Sequence, residues 1–575
     1  MRKEPRWTES TVVGSSVFDV GCDHDHFAQG RLKAIKRDSS YFQGTDPFPA
    51  SEETYESIRI RVLDEYISDN DPHSCHYLNQ QVGLEYGWTP STSTSTSSTK
   101  SFDWTCGPND LLDADKQTFF KDFLIPSVVD ILQSTILVKR MKGNLVLSKQ
   151  YHDTHLWCRN FSDPIPPYLL NQTAGEPNSD FIIFVSARPN GPTPSGFFQL
   201  ASASACSHYT LQNGKYSRPL AGWINFNPAA LSQLKSDSTN SEATFYLSDV
   251  QNQFIFSQYV RVGLHEFMHA LGFSATLYSS YTNDAGLFYS DLPEYTQYGP
   301  IVEEHSYNNG HSGPIRYKMA SPKVLALTQL YFDCPSMNGL ELEEWDTLGS
   351  APGSHWEKRL LGPELMTAVS SAVSIFSNFT LALLEDSGWY KVNYNLSETL
   401  RTGWNKGCSW VNYPCTPASW GSEFCSDKAI DRCDSQRVGR GSCSIGAVLY
   451  PAQFGNYYQH FSEPRLGGKP TPDYCPLYEP YNNYFCQDPN VLTSTLKGSN
   501  IYGETFGIDS WCFDYISNEG NSAGCYQIKC VINANTNQTQ LALNLGGKWY
   551  GCPSEGGPLD VSTPNAGKIR IDCPM

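Results

Sequence analysis

The distribution of cysteines is the feature that most restricts how this chain can fold. Twelve of the 18 cysteines lie in the last third of the 575 residues, and they are Cys408, Cys415, Cys425, Cys433, Cys443, Cys475, Cys486, Cys512, Cys525, Cys530, Cys552 and Cys573. Such density normally marks a disulfide framework formed in an oxidising compartment. Zinc-finger chemistry is the alternative, but the chain lacks paired C-x2-C knuckles. We therefore expect residues 401–575 to form a loop-rich, cross-linked domain.

Charge and hydrophobic content exclude several classes of partner and protein. Hydrophobic residues make up 39% of the chain and charged residues 17%, so it can bury the cores of several domains. The formal net charge of −18 would repel a phosphate backbone, and nucleic acid is therefore not an expected partner. No window holds the roughly 18 consecutive apolar residues of a membrane span, so we expect none in this chain.

Two further features bear on the cellular compartment. The first ten residues, Met1 to Ser10, are charged and polar, and no apolar stretch of a secretory signal peptide follows them. Asn-x-Ser/Thr sequons, which can be glycosylated only in a secretory lumen, occur at Asn160, Asn171, Asn378, Asn395 and Asn537. With the cysteines, they favour an extracellular or cell-surface protein whose true N-terminus lies upstream of Met1.

Hydrophobic periodicity predicts both strands and helices. Residues Ser57–Val62 alternate with period two, and Asp180–Val185 has the composition of a buried strand. Residues Lys116–Gln133 and Ser374–Asp386 repeat apolar positions at helical spacing. The tract Thr89–Thr99 is of low complexity and is expected to be a disordered surface insertion.

Residues 265–269 form an H-E-x-x-H motif, His-Glu-Phe-Met-His. On a helix, His265 and His269 lie one turn apart on the same face, so both imidazoles can bind one metal ion. Glu266 points about 100° round the helix, where it reaches a water on the ion and serves as a general base. The alternative is that both histidines are ordinary residues of a core helix. The helix is expected to end at Gly272.

A third metal ligand must come from elsewhere in the chain. The longer metzincin motif, H-E-x-x-H-x-x-G-x-x-H, would place it at residue 275, which is Ala275 and cannot bind a metal. Three later histidines could replace it, and they are His305, His311 and His355. His355 alone has a suitable neighbourhood, because Ser-His-Trp-Glu at 354–357 is followed by Glu-Leu-Met-Thr at 364–367.

At these residues the chain resembles leishmanolysin, the surface metalloprotease family of trypanosomatids with relatives in ciliates and animals. Residues 265–273 resemble the family's zinc helix, residues 354–356 its third-ligand segment and residues 364–366 its Met-turn. The likeness extends from about residue 15 to the end, apart from the Ser/Thr tract. It implies a ciliate- or protist-like member of this metzincin family.

The resemblance implies a fold and a set of site residues. The fold is α+β, a metzincin-type zincin catalytic domain with a central insertion domain and a Cys-rich, disulfide-bonded C-terminal domain. His265, His269 and His355 would hold one Zn2+, Glu266 would be the general base, and Met366 would pack beneath the ligands. The implied segments are residues 1–50 as a propeptide, 51–273 as the N-terminal catalytic subdomain, 274–400 as the central subdomain and 401–575 as the C-terminal domain.

By the same likeness, a polypeptide substrate would lie beside an edge strand at the cleft. That strand is the segment Gly222, Trp223, Ile224 and Asn225, where an extended peptide could add as an extra strand. The alternative is an edge strand that contacts no substrate.

Cys22 is a candidate inhibitory switch. Cys-Asp-His-Asp at residues 22–25 resembles the C-x-H-D sequence of leishmanolysin propeptides, and a thiolate at the metal would exclude the reacting water. A disulfide at Cys22 and a separate Cys/His metal site are the alternatives. Setting Cys22 aside leaves an odd number of cysteines, so one other, expected to be Cys530, would lack a partner. By likeness, Cys75 pairs with Cys106, and Cys158 with Cys206.

These observations predict a zinc-dependent endopeptidase that acts on polypeptides. Two alternatives come from other classes: a cell-surface adhesion protein with a vestigial metal site, and a zinc enzyme that acts on small molecules or cell wall. Membrane association would require a segment beyond this chain. The residues that the chemistry requires are all present, which favours the endopeptidase.

Overall fold

The computed structural model describes most of the chain from residue 54 onward. The described residues are 54–84, 102–147, 165–171, 174–190, 200–208, 215–233, 250–344, 351–369, 371, 373–412, 415, 423–496, 499–532, 539–553, 556–563 and 567–573. The propeptide-like segment, with Cys22, and the Ser/Thr tract lie outside them. The predictions made for those segments therefore stay predictions.

Helices and strands alternate in the first half, and strands dominate the second. The helices are α1 (Ala114–Thr118), α2 (Ile125–Thr135), α3 (Val250–Leu271), α4 (Pro322–Tyr331), α5 (Lys358–Leu361), α6 (Asn378–Asp386), α7 (Gly407–Asn412) and α8 (Val491–Ser494), with a π-helical turn at Phe119–Leu124 between α1 and α2. The strands are β1 (Tyr55–Ser57), β2 (Ile60–Tyr66), β3 (Gln81–Leu84), β4 (Phe102–Thr105), β5 (Ile136–Lys139), β6 (Phe181–Ala187), β7 (Ala201–Ser207), β8 (Ala221–Phe226), β9 (Ile301–Asn308), β10 (His311–Met319), β11 (Leu340–Glu341), β12 (Tyr390–Val392), β13 (Arg432–Cys433), β14 (Gly439–Cys443), β15 (Gly446–Ala447), β16 (Leu466–Gly467), β17 (Tyr478–Phe485), β18 (Ser510–Ser517), β19 (Gly520–Ile532), β20 (Thr539–Leu545), β21 (Lys548–Gly551), β22 (Gly557–Thr563) and β23 (Gly567–Cys573).

A four-stranded sheet in the order β2-β6-β8-β7 supports α3. Strands β2, β6 and β8 run parallel, and β7 is antiparallel to β8. Helix α3 packs across β7 and β8. This contact is close because Gly222 of β8 has no side chain: a Cβ there would lie 2.8 Å from the Cβ of Ala270. The sheet thereby sets the position of the helix that carries the H-E-x-x-H motif.

The prediction that Gly222, Trp223, Ile224 and Asn225 form an edge strand is wrong. These residues belong to β8, which pairs with β6 on one side and β7 on the other. The outermost strand on this side is β7, as far as the described residues extend. The segment lies between two neighbouring strands, and its alternating side chains pack on both faces of the sheet. Its local composition does not reveal this tertiary arrangement.

One hydrophobic core joins the first two segments of the described chain. It includes Phe181 of β6, Phe267 of α3, Trp356 and Leu383 of α6. Residues from both 51–273 and 274–400 therefore bury one another. The division of this region into two subdomains at residue 273 stays a prediction.

Disulfides hold the C-terminal segment, as expected from its cysteines. The bonds among described residues are Cys75–Cys106, Cys334–Cys408, Cys415–Cys475, Cys425–Cys443, Cys433–Cys512, Cys486–Cys525 and Cys552–Cys573. The segment ends in a six-stranded antiparallel sheet, β21-β20-β19-β18-β23-β22. The α+β fold with a disulfide-bonded C-terminal domain is thus confirmed.

Two predictions about individual cysteines are tested. The Cys75–Cys106 bond is confirmed. The prediction that Cys530 lacks a partner is wrong, because its sulfur is disulfide-bonded. The odd count of cysteines therefore no longer supports a free thiol at Cys22. Cys206 is also disulfide-bonded, and Cys158 lies outside the described residues.

The predicted helices form with small changes at their ends. Lys116–Gln133 lies within the continuous run from α1 to α2. The helix predicted at Ser374–Asp386 begins only at Asn378, because the Ser377 side chain caps it by accepting a hydrogen bond from the Phe379 N–H. The strand predicted at Ser57–Val62 is divided between β1 and β2. No described helix is both long and apolar enough to cross a bilayer.

A buried charge network joins the C-terminal segment to the region around α5. Arg316 of β10 lies 2.8 Å from an Asp473 oxygen and 2.8 Å from a Glu344 oxygen. Arg359 of α5 lies 3.2 Å from the same Asp473 oxygen and 3.2 Å from Glu341. All five side chains are buried. Because α5 begins three residues after His355, Asp473 connects the cross-linked segment to the third candidate ligand.

We expect Arg316→Met to destabilise the protein strongly. The substitution leaves Asp473, Glu344 and Glu341 buried with less positive charge, and breaking a buried ion pair costs about 3–5 kcal/mol. Circular dichroism during heating should show a lower denaturation temperature. Arg570→Met is the matched control, since Arg570 pairs with Asp560 on the exposed surface and its loss should leave that temperature unchanged. Equal denaturation temperatures for the two variants would contradict a structural role for the network.

Candidate metal centre

Helix α3 carries the first two candidate ligands. It runs from Val250 to Leu271 and ends, as predicted, at Gly272, whose φ of 138° a residue with a side chain rarely adopts. His265 and His269 lie one turn apart, and their rings are 4.8 Å apart. On the opposite side, Gly263 packs directly on Val128 of α2, where a Cβ would lie 2.7 Å from the valine side chain. Packing against the sheet and α2 thus fixes the helix and both imidazoles.

The structure brings His355 to the same point as His265 and His269. The Nε2 atom of His269 lies 3.1 Å from that of His265 and 3.2 Å from that of His355. Zinc–nitrogen bonds of about 2.0–2.1 Å at tetrahedral angles place ligand nitrogens roughly 3.3 Å apart. Both distances from His269 fit ligands of one zinc ion, and all three nitrogens lie within 4.8 Å of one another.

Hydrogen bonds orient two of the three rings. The Nδ1 of His265 lies 2.7 Å from the Leu365 carbonyl, and that of His269 lies 2.8 Å from the Phe273 carbonyl. A carbonyl only accepts, so each Nδ1 carries the proton and each Nε2 directs its lone pair at the shared point. Converging lone pairs repel one another unless a cation lies between them. The donor set therefore suits a metal ion.

Burial keeps these imidazoles neutral, which is the form that binds metals. It lowers the pKa of His269 to about 3, with a smaller contribution from His265. The pKa of His265 is also lowered by burial, and that of His355 is lowered well below its usual value. Loss of hydration penalises the charged imidazolium, so no proton competes with a metal at neutral pH.

Glu266 directly follows the first candidate ligand on α3 and lies in an environment with little water. Only 7% of the residue is exposed. Burial raises the pKa of its carboxyl to about 8, because a charge is poorly solvated there. A carboxyl group in such a place can accept and return a proton near neutral pH, as a general base must.

Met366 lies in a tight turn that is joined to the site through its backbone. It is fully buried, and its carbonyl accepts a hydrogen bond of 2.9 Å from the Trp356 N–H. The preceding residue, Leu365, supplies the carbonyl that orients His265. The turn predicted at Met366 therefore contacts the segments of the first and third candidate ligands.

The two alternative third ligands do not join this cluster. His305 and His311 are exposed on β9 and β10. Cys22 lies outside the described residues.

A second group of potential ligand atoms, Cys415, His460 and Cys475, also occurs among the described residues. Its two sulfurs form a disulfide and are not available as thiolates. The group is therefore part of the cross-linked framework and not a metal site.

Sequence analysis missed the residues that support the third ligand. Trp356 and Glu364 are fully buried beside the site, and Thr380 of α6 lies between them. Their neighbours in the chain, His355 and Met366, were recognised from the motif. Nothing in the local sequence indicates that Thr380, sixteen residues after Glu364, returns to this point.

Comparisons with known proteins identify the same family across the chain. A profile of the leishmanolysin peptidases matches residues 25–575. The leishmanolysin-like peptidase of Drosophila melanogaster is 25% identical over 505 residues, which cover 73% of this chain and 69% of the relative. The leishmanolysin of Leishmania amazonensis is 26% identical over 567 residues, 96% of this chain and 80% of the relative. The leishmanolysin of Leishmania donovani is 25% identical over 548 residues, which cover 94% of this chain and 80% of the relative.

The geometry predicts that His355 is needed to retain a metal ion. Purified protein should contain one zinc per chain by elemental analysis, and His355→Ala should release zinc to a chelator far faster. Loss of an outer hydrogen-bond partner of a ligand lowers metal affinity roughly 10–100-fold. Loss of a direct ligand should lower it more. His305→Ala and His311→Ala are controls at exposed histidines and should retain zinc. If His355→Ala holds zinc as firmly as they do, the third ligand is misassigned.

Proposed function

This chain belongs to the leishmanolysin family of metallopeptidases, and from that premise we propose that it is a zinc-dependent endopeptidase acting on polypeptides. The observation that carries the proposal is the convergence of His265, His269 and His355 beside Glu266. Family membership implies a divalent metal, and three neutral imidazoles at tetrahedral spacing favour zinc.

In the proposed mechanism, His265, His269 and His355 hold the metal, and Glu266 transfers the proton. When bound, zinc supplies a Lewis acid that polarises the scissile carbonyl and acidifies a water molecule. Glu266 would take a proton from the attacking water and deliver it to the leaving amine. The burial of Glu266 supports the first of these transfers, because a poorly hydrated carboxylate accepts a proton more readily than an exposed one.

Strand β7 is the proposed docking edge for an extended substrate. Among the described strands it pairs only with β8, and a peptide backbone is proposed to pair with its other edge. It also packs against α3, which carries Glu266 and two of the candidate ligands. A substrate strand beside β7 would gain main-chain hydrogen bonds, a mode of recognition that suits polypeptides. The role first predicted for Gly222 to Asn225 therefore moves to the neighbouring strand.

We expect Glu266→Ala to retain zinc and to lose peptidase activity. A positioned general base contributes about 10²–10⁴-fold to rate, so casein cleavage should fall by at least two orders of magnitude. Elemental analysis should still find one zinc per chain, because all three imidazoles remain. Glu303→Ala, at an exposed glutamate of β9, is the control and should cleave casein at the parent rate. Cleavage at the parent rate by Glu266→Ala would refute the mechanism.

The disulfides favour folding in an oxidising compartment, and we propose an extracellular or cell-surface location. Glycosylation and membrane attachment stay predictions. The alternative of an adhesion protein with a vestigial site is less well supported, because the buried environment of Glu266 and all three imidazoles persist together.

Cys22 is proposed to keep the chain latent until the propeptide-like segment is removed. The support is its resemblance to the family's propeptide motif. In that case Cys22→Ser should cleave casein several-fold faster than the parent before any processing, because a hydroxyl is a much poorer zinc ligand than a thiolate. Ser15→Ala in the same segment is the control. Equal initial rates for parent and Cys22→Ser would show that Cys22 is not a switch.

A further inference from the structure

The third candidate ligand differs from the other two in how its ring is held. His265 and His269 each donate from Nδ1 to a backbone carbonyl. The Nδ1 of His355 is buried and has no hydrogen-bond partner among the described residues. Its Nδ1 therefore does not fix the ring as the Nδ1 atoms of the other two ligands do. Something else must hold the segment that carries it.

Trp356, the next residue, is fixed at three points. Its N–H donates to the Met366 carbonyl at 2.9 Å, and its indole Nε1–H donates to the Thr380 hydroxyl at 3.1 Å. Its ring packs edge-on against Phe273, with ring centres 4.9 Å apart. Trp356 is fully buried. Because His355 precedes it directly, the position of Trp356 determines where the third imidazole lies.

These contacts lead to one buried carboxylate, that of Glu364. Its Oε1 accepts from the Ser377 and Thr380 hydroxyls, each at 2.6 Å. Its Oε2 accepts from the Met366 N–H at 2.5 Å. Glu364 is fully buried, so these three donors replace the water that a carboxylate would otherwise bind.

The direction of each hydrogen bond follows from its neighbours. The Thr380 oxygen accepts the Trp356 indole proton, and the Ser377 oxygen accepts the Phe379 N–H at 3.2 Å. Each hydroxyl then has its own proton left to donate, and both point at Glu364. An ionised carboxylate, which only accepts, is the partner that completes this pattern.

We propose that Glu364 is a positioning residue that fixes the third metal ligand and the Met366 turn before the metal binds. The connection runs from Glu364 through Thr380 to the Trp356 indole, and from Glu364 through the Met366 backbone to the Trp356 N–H. Both arms end on Trp356, the residue after His355, and neither contacts the imidazole. This inference rests on the metal site of the proposed function.

A positioning role differs from general stabilisation in what it changes. The ring of His269 is held by α3 and by its hydrogen bond to the Phe273 carbonyl. Loss of the Glu364 network should therefore act on the third ligand and on the Leu365 carbonyl that orients His265. Outer partners of this kind contribute about 10–100-fold to metal affinity or activity. The effect should therefore appear in metal retention and in kcat, with KM close to the parent value.

The test compares zinc release from Glu364→Gln and Thr380→Val with release from the parent. In Glu364→Gln, an amide that also donates replaces an acceptor of three donors. Thr380→Val keeps the shape of the side chain and removes the hydroxyl between Trp356 and Glu364. Both should lose zinc to a coloured chelator about 10–100-fold faster. Thr380→Ser retains the hydroxyl and should restore slow release.

Glu504→Gln is the matched control for loss of a buried carboxylate. Glu504 is 5% exposed and accepts from the Cys525 N–H at 2.9 Å and the Tyr484 hydroxyl at 2.9 Å, in the C-terminal segment. The Glu504→Gln substitution removes comparable hydrogen bonds at a position away from the metal site. Its zinc release should match that of the parent even if its denaturation temperature falls.

The outcomes separate this inference from the proposed function. A parent protein that holds no zinc refutes the metal site itself. If the parent holds zinc and cleaves casein, while Glu364→Gln and Thr380→Val release zinc no faster than Glu504→Gln, the inference alone is wrong. Should Glu364→Gln fail to fold, Thr380→Val and Trp356→Phe decide the question. Thr380→Val removes two hydrogen bonds of the connection and Trp356→Phe removes one, and both leave the carboxylate in place.

Discussion

The arrangement of three imidazole nitrogens around one point is the constraint on which the rest of this structure depends. The Nε2 atoms of His265, His269 and His355 lie close enough for their lone pairs to repel one another. Such a cluster persists only if surrounding structure holds it, or if a cation balances the repulsion. Burial makes such support more necessary. It keeps the imidazoles neutral and so excludes the protons that could otherwise come between the nitrogens.

Different parts of the fold hold the three ligands. The four-stranded sheet and α2 hold α3, the helix of His265 and His269. The close contacts lie at Gly222 of the sheet and at Gly263 of the helix. The position of His355 depends on Trp356 and on a hydrogen-bond network around Glu364. The cross-linked C-terminal segment also contributes, because Asp473 contacts the helix that follows His355. The disulfide-bonded part of the chain is therefore connected to the metal centre, which favours a structural role for it in the peptidase.

Much of this could be predicted because the relevant signals are local. The spacing of His265 and His269, the end of their helix at Gly272 and the clustering of cysteines all follow from short stretches of sequence. Predictions were wrong where contacts between residues far apart in the sequence decide the structure. Likeness to the family predicts an edge strand at Gly222 to Asn225, yet these residues pair with a strand on either side. The odd number of cysteines that remains without Cys22 predicts an unpaired Cys530, which is wrong. Such a count does not show which sulfurs meet.

The amino-acid sequence by itself determined the ligand types, the helical spacing of two of them and the cross-linked character of the last third. These depend on backbone periodicity and on side-chain chemistry, which act over a few residues. Only the tertiary structure decided which strand lies at the sheet edge, how His355 reaches the first two imidazoles and why Glu364 and Thr380 adjoin them. Contacts of that kind depend on how the whole chain buries its apolar surface and satisfies its buried hydrogen-bonding groups, and no short stretch of sequence specifies that.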